Sequence, residues 1–386
     1  MRVLSEDLDD LEARDLLRVR RVVAGSQGAE LELDGRRVLC FASNNYLGLA
    51  AAPEVVEASC RALEESGASA GASPLISGHM SAHEELEAEI AAWLNCEASL
   101  VFGSGYHANI GVIASLVGEG DAVFSDALNH ASLIDGCRLT RANVQIYAHG
   151  DLNDLERKLS ATSARRRLIV SDSVFSMDGE VAPIAGLVEL AERHDAWLML
   201  DEAHAMGVFG ADGAGAAAAA GLGDRVAIRM GTLGKALGSY GAFVAGSRPL
   251  VDLLVNRARS YVFSTALPPP VVAAAQAAVQ IARRDSRRRE AVWRNVHRLH
   301  AGLVAAGISV LPLESTIVPM ILGPSKKALA VARRALSEGV FAPAIRPPTV
   351  PEGTSRIRLT PIATHEEEQI DRAVEILAAA VRKEGG

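Results

Sequence analysis

The sequence predicts an α/β protein, with a mostly parallel β-sheet covered by helices and a smaller α+β domain behind it. Three observations carry that expectation. Short continuous apolar runs alternate with helical patterns along most of the chain, as in sheets buried on both faces. The rhythm breaks at "ALPPP" (266–270) and at the basic stretch 284–289. Polar and glycine residues gather where the apolar runs end, which is where ligands collect in open α/β sheets.

The elements follow in order. An acidic, helix-patterned start and a short strand occupy residues 1–44, a large domain 45–283, and a small domain 284–386. "RVLCFAS" precedes a helix opened by Pro53, a residue suited to a first helical position. "SLVFGSG" leads into "YHANIGVIASLV", and "DAVFSD" into a helix near "SLIDGCRLT". "NVQIYAH" precedes "DLNDLERKLS", "RLIVSDSVF" precedes "IAGLVELAERH", and "AWLMLDEA" runs into a Gly/Ala-rich loop. "RVAIRMGT" and "GAFVAG" complete the series of strands. Past the break come a long helical pattern, "STIVPMIL", another helix, "SRIRLT" and a closing helix.

Composition narrows the function. A chain of 386 residues can bury a sizeable core. A net charge of −8 argues against a nucleic-acid partner, because duplex binding wants a basic face. Cys40, Cys60, Cys96 and Cys137 are scattered, without metal-ligand or Cys-x-x-Cys spacing. No apolar leader and no window of membrane-spanning length is present. The expectation is a cytoplasmic protein with reduced thiols.

Five strand ends hold the chemistry: "GSGYHAN", "DALNHAS", "DSVFSMDGE", "DEAHAMG" and "GTLGKALG". In the last, glycine immediately precedes Lys235. A phosphate-binding P-loop is excluded, since Arg229 stands at its first glycine and Ala236 at its hydroxyl. "GSGYHA" fits a relaxed dinucleotide fingerprint, with Asp121 or Asp126 as the ribose ligand. It also fits a packing turn, or a helix start whose N–H groups at Gly105 and Tyr106 bind one phosphate. Asp201 ends an apolar strand, where a carboxylate is costly unless paired. It caps the following turn or faces a cationic ring nitrogen. His204 follows three residues later, but no third ligand supports a metal reading. His130 also follows a strand, and Asp172, Ser173 and Ser176 sit in "DSVFSMDG" without a Gly-x-Ser-x-Gly elbow. A desolvated lysine forms imines readily. A strand-end aspartate, an upstream phosphate turn and this lysine together point to pyridoxal 5′-phosphate.

"NNYLGL", "SGYHAN", "NHASL", "DSVFSMDG", "DEAHAMG", "GTLGKALG" and "STALPP" together resemble the ordered motifs of the α-oxoamine synthases. The resemblance spans roughly residues 15–380. It implies a fold-type I pyridoxal-phosphate transferase with a seven-stranded sheet, assembled as a homodimer with shared active sites. By that resemblance Lys235 carries the cofactor as a Schiff base and Asp201 pairs with its ring nitrogen. His130 stacks on the ring, and His204 and Ser176 lie at its phenolic oxygen. Gly105, Tyr106 and Thr232 bind the phosphate, with Thr265 reaching it from a partner subunit. Arg358 clamps the amino-acid carboxylate, and Asn44 lies near the site of the adjoining subunit. Arg18, Arg346 and Thr349 handle the acyl substrate, with Arg20 and Arg21 as rivals to Arg18. "AIRPPTVPEGTSRIRLT" resembles members that join L-alanine to a pimeloyl thioester, on CoA or acyl carrier protein. A sister synthase with another amino acid or acyl donor is the alternative, and a non-catalytic protein of the same fold a remoter one. Pro74 stands where many relatives have arginine, and Ala205 where many have glycine.

Overall fold

The structure is a computed structural model that describes residues 2–384. Its strands, in chain order, are β1 (Val23–Ala24), β2 (Glu30–Leu33), β3 (Arg36–Cys40), β4 (Ala98–Phe102), β5 (Ala122–Asp126), β6 (Asn143–Tyr147), β7 (Arg167–Asp172), β8 (Trp197–Asp201), β9 (Ile228–Thr232), β10 (Ala242–Gly246), β11 (Val318–Gly323), β12 (Val340–Phe341), β13 (Ala344–Ile345) and β14 (Ser355–Leu359). They belong to two compact units. The first holds residues 1–48, 177–179 and 290–386, and the second holds 49–176 and 180–289.

The second unit is built on the seven-stranded sheet β4-β10-β9-β8-β7-β5-β6. All pairs are parallel except those of β10, which runs antiparallel to β4 and to β9. The apolar runs explain the sheet. Phe124, Val170, Met199 and Leu200 are fully buried, each contributing about 1.5–3 kcal/mol over an exposed side chain. Val112 and Ile113 of the helix Gly105–Leu116 and Leu133 of the helix Ala131–Leu139 share one core with Val170 and Met199. At the edge, β6 exposes Val144 and Ile146.

The first unit carries two smaller sheets. One has the order β1-β2-β3-β12 and the other β11-β14-β13. "RVLCFAS" supplies β3 of the first of these sheets, apart from the large sheet. Its strand β3 pairs antiparallel with β2 and parallel with β12. Leu31, Leu33, Val38 and Cys40 form a local apolar cluster there. The same pairing joins the N-terminal segment to the C-terminal residues in one unit, where the sequence treated it separately. The division falls after residues 48 and 289, against the expected 44 and 283. Among the described residues, no helix is long and apolar enough to cross a membrane.

Candidate active site

In the second unit, the carboxyl ends of the parallel strands hold a connected polar cluster. Asp201 is the last residue of β8 and is buried. Its Oδ1 accepts from the Ala203 N–H at 2.9 Å, and its Oδ2 accepts from Asn109 Nδ2 at 2.7 Å. Asn109 is fully buried on the helix Gly105–Leu116 and also donates to Ser132 Oγ at 2.8 Å. Ser132 Oγ in turn lies 2.7 Å from His130 Nδ1. One amide therefore links the aspartate to the histidine loop.

Asp172 ends β7 directly beside Asp201 in strand register. Its Oδ2 accepts the His130 N–H at 2.7 Å. Burial, then the neighbouring Asp201 charge, pushes the Asp172 carboxyl well above its ordinary value. His130 caps the helix Ala131–Leu139 through Nδ1. Desolvation, opposed by Asp201 and reinforced by Lys235, holds its imidazole below its ordinary pKa. A neutral ring beside a cation suits stacking on an aromatic group.

Lys235 lies in the turn after β9. Its Nζ is 2.8 Å from Nε2 of the buried His204. The turn closes through Gly238 N–H to Lys235 O at 2.9 Å. Gly238 has φ +62°, and a Cβ there would strike the Leu49–Ala50 backbone, so glycine is required. At Gly105, a Cβ would come within 2.8 Å of Thr232 Cγ2. The glycine thus lets the helix start approach the end of β9. Ser104 caps that helix by accepting from the His107 N–H. The leading N–H groups, at Gly105 and Tyr106, point out of the first turn. The Tyr106 hydroxyl donates to Asp135. Ser176 is half-buried in the hairpin after β7, and Thr265 is exposed beside Gly103, Ser260 and Tyr261.

This donor set fits pyridoxal phosphate. An amine can form the imine, a buried carboxylate anchored by two donors suits a protonated ring nitrogen, and a helix start with a neighbouring threonine suits a phosphate. The structure thus brings Gly105 to Thr232, Lys235 to His204, and Asp201 to the His130 loop.

In the first unit, Arg358 is buried on β14. Its Nη1 donates to Asn44 Oδ1 at 3.1 Å and its Nη2 to the Tyr46 hydroxyl at 3.2 Å. Burial pushes the Tyr46 phenol up, against the pull of Arg358, so it stays a neutral partner. Arg356, two residues earlier and on the same face of the strand, pairs with Asp178. A second cluster collects the acyl candidates. Arg18 Nη2 donates to Thr349 Oγ1 at 3.3 Å, and Arg346 donates to the carbonyls of Asp15 and Leu17. Arg21 instead pairs with Asp34 at 2.9 Å. Of these two arginines, only Arg18 bonds within the Arg346–Thr349 cluster.

Asn109 and Tyr46 were quoted in sequence motifs without a role. The signal for Asn109 was an amide amid the apolar residues of "YHANIGVIASLV", a buried polar group in need of partners.

A sequence profile described as aminotransferase class I and II matches residues 36–377. The 8-amino-7-oxononanoate synthase of Anaeromyxobacter dehalogenans strain 2CP-1 is 49% identical over 378 residues, 98% of this chain and 95% of that protein. The protein of the same name from Aromatoleum aromaticum is 49% identical over 374 residues, covering 97% of each chain. Among solved structures, a lysine-to-alanine serine palmitoyltransferase from S. paucimobilis with a bound PLP–myriocin aldimine superposes with a TM-score of 0.95. It is 31% identical and covers 99% of this chain and 98% of its own.

Proposed function

From the premise that the chain belongs to the aminotransferase class I and II family, and within it to the α-oxoamine synthases, we propose that it is a pyridoxal-phosphate-dependent 8-amino-7-oxononanoate synthase of biotin biosynthesis. The reaction joins L-alanine to a pimeloyl thioester on CoA or acyl carrier protein. A bond forms between the alanine α-carbon and the acyl carbonyl carbon, the carrier thiol leaves, and the alanine carboxylate departs as carbon dioxide. The reading is carried by one feature of the second unit. A buried Asp201 fixed at both oxygens is followed three residues later by His204, whose Nε2 meets the Lys235 amine at 2.8 Å.

The bound cofactor supplies an electron sink for the carbanion at the amino-acid α-carbon. The residues do the rest. Lys235 Nζ takes the α-proton of alanine and later returns a proton to the product carbon, general acid–base work made efficient by its tether. Asp201, oriented by Asn109 and the Ala203 N–H, holds a proton on the ring nitrogen. His130 covers the ring face, and His204 and Ser176 serve its phenolic oxygen. The N–H groups of Gly105 and Tyr106, with Thr232 Oγ1, hold the phosphate. The Arg358 fork, set by Asn44 and Tyr46, binds the alanine carboxylate, a planar match to that group. Arg346, Arg18 and Thr349 bind the acyl substrate and its distal carboxylate. The working form is a cytoplasmic homodimer, in which Thr265 serves the neighbouring subunit's site, while Asn44 sets Arg358 within its own chain.

An absorbance screen of amino acids on the yellow holoprotein tests the reading, followed by mass spectrometry of the product from alanine and pimeloyl-CoA. Alanine should perturb the visible spectrum and yield 8-amino-7-oxononanoate. A response to serine alone would favour the second reading, an acyl condensation with serine, which the serine palmitoyltransferase likeness supports.

A further inference from the structure

Besides the site residues, the strand ends of the second unit carry one more histidine with both ring nitrogens engaged. His149 follows β6, and its side chain is 26% exposed. Its Nδ1 lies 2.9 Å from Asp126 Oδ1, and its Nε2 lies 2.8 Å from Glu180 Oε2. The ring meets Phe175 edge-on, with centroids 4.4 Å apart. Each contact leads to a segment that carries a proposed cofactor residue.

Asp126 begins the loop that ends in His130. Its Oδ1 also accepts the Leu128 N–H at 2.8 Å, and its Oδ2 accepts the Gly150 N–H at 2.9 Å. Asn129 holds the same loop to β7, donating to Val170 O at 2.9 Å and accepting the Asp172 N–H at 2.9 Å. On the other side, Phe175 precedes Ser176, and the Phe175 N–H donates to Glu180 O at 2.9 Å. Val174 and Val181 bridge the same hairpin. We infer that His149 is a positioning residue that ties the loop bearing His130 to the hairpin bearing Ser176.

Geometry and charge agree. The hydrogen bond to Asp126, then that to Glu180, pushes the His149 imidazole up to about 9 against its partial burial. At neutral pH it is a cation that donates to both carboxylates. The titratable groups that meet the ring are Asp126 and Glu180; beside it in the chain, Asp154 accepts the Ala148 N–H, and burial keeps the Tyr147 phenol neutral. None can replace a cation between two carboxylates. The folded-state value lies above the ordinary one of about 6.5. The clamp is therefore complete below that pH and loosens as pH rises through about 9.

The role in turnover rests on the synthase reading, but the test has arms that do not. In the holoprotein, His149→Phe keeps a flat ring and removes both donors. It should lower kcat about 10-fold, the scale of a slightly misplaced group, with a smaller change in KM for alanine. It should also weaken the induced circular dichroism of the visible band per bound cofactor, and abolish that signal's loss near pH 9. Glu180→Gln still accepts from Nε2 and should retain turnover within about 2-fold. If His149→Phe fails to fold, Glu180→Ala supplies the same readouts, with an expected loss of about 3-fold in kcat. Wild-type circular dichroism and kcat in His149→Phe, or in Glu180→Ala where that must stand in, would overturn the inference. A wild-type protein that made no product from alanine and pimeloyl-CoA would strike the synthase reading alone, leaving the dichroism and its pH dependence to judge the clamp.

Discussion

The two units handle their polar residues differently. In the second unit, Asp201, Asn109 and Asp172 are almost fully buried; Asp201 bonds Asn109 and the Ala203 N–H, and Asp172 bonds the His130 N–H, at 2.7–2.9 Å. In the first unit, Arg358 is also buried, yet Arg18 and Thr349 are exposed and meet through a single 3.3 Å contact. A buried network allows a group no alternative partner, which suits charge that must be in place before reaction. Exposed arginines adapt to a flexible ligand. On the proposed function, the difference separates residues that set rate from those that set recognition.

The sharpest way to break that separation is Asp201→Asn. The variant keeps the shape and loses the charge, so turnover should fall about 10²–10³-fold while cofactor content stays near one per chain. Turnover within a few-fold of wild type would show that the strand-end network does not set rate. Next comes Arg358→Lys, which keeps the charge but loses the fork held by Asn44 and Tyr46. Its kcat/KM for alanine should drop about 10–100-fold, as measured by initial rates across alanine concentrations. An unchanged value would remove Arg358 from carboxylate binding. The smallest effects belong to the exposed cluster. Arg18→Ala should raise KM for the acyl thioester several-fold, on the order of one surface charge contact, with kcat preserved. Arg21→Ala should leave that KM unchanged, because its partner is Asp34. Equal effects of the two would dissolve the geometric distinction between them.

Much of this was legible in the chain. Several apolar runs of the large sheet ended in a polar residue, and Asp172, Asp201 and Thr232 are indeed the last residues of β7, β8 and β9. The period of apolar residues fixes such ends because the buried strand stops where polarity begins. Partners were not legible. Asn109 meets a carboxylate 92 residues away, and His149 closed the quoted run "NVQIYAH" with no sign of Glu180, 31 residues on. The partner of the strand in "RVLCFAS" was hidden for the same reason, since Leu39 pairs with Val340, far along the chain. A short apolar run announces a strand but not the strand it will join. The acyl arginines were ambiguous in sequence because "RVRR" repeats one chemistry, and the contacts of Arg18 with Thr349 and of Arg21 with Asp34 tell two of them apart.

The central claim is that Lys235 is the residue to which the cofactor is covalently joined. Borohydride reduction of the yellow protein, followed by proteolysis and mass spectrometry of the peptides, tests it directly. A single phosphopyridoxyl adduct on the peptide containing Lys235, lost in Lys235→Ala together with the visible band, is the predicted result. An adduct on Lys158, Lys326 or any other lysine, or a yellow and active Lys235→Ala, would contradict it.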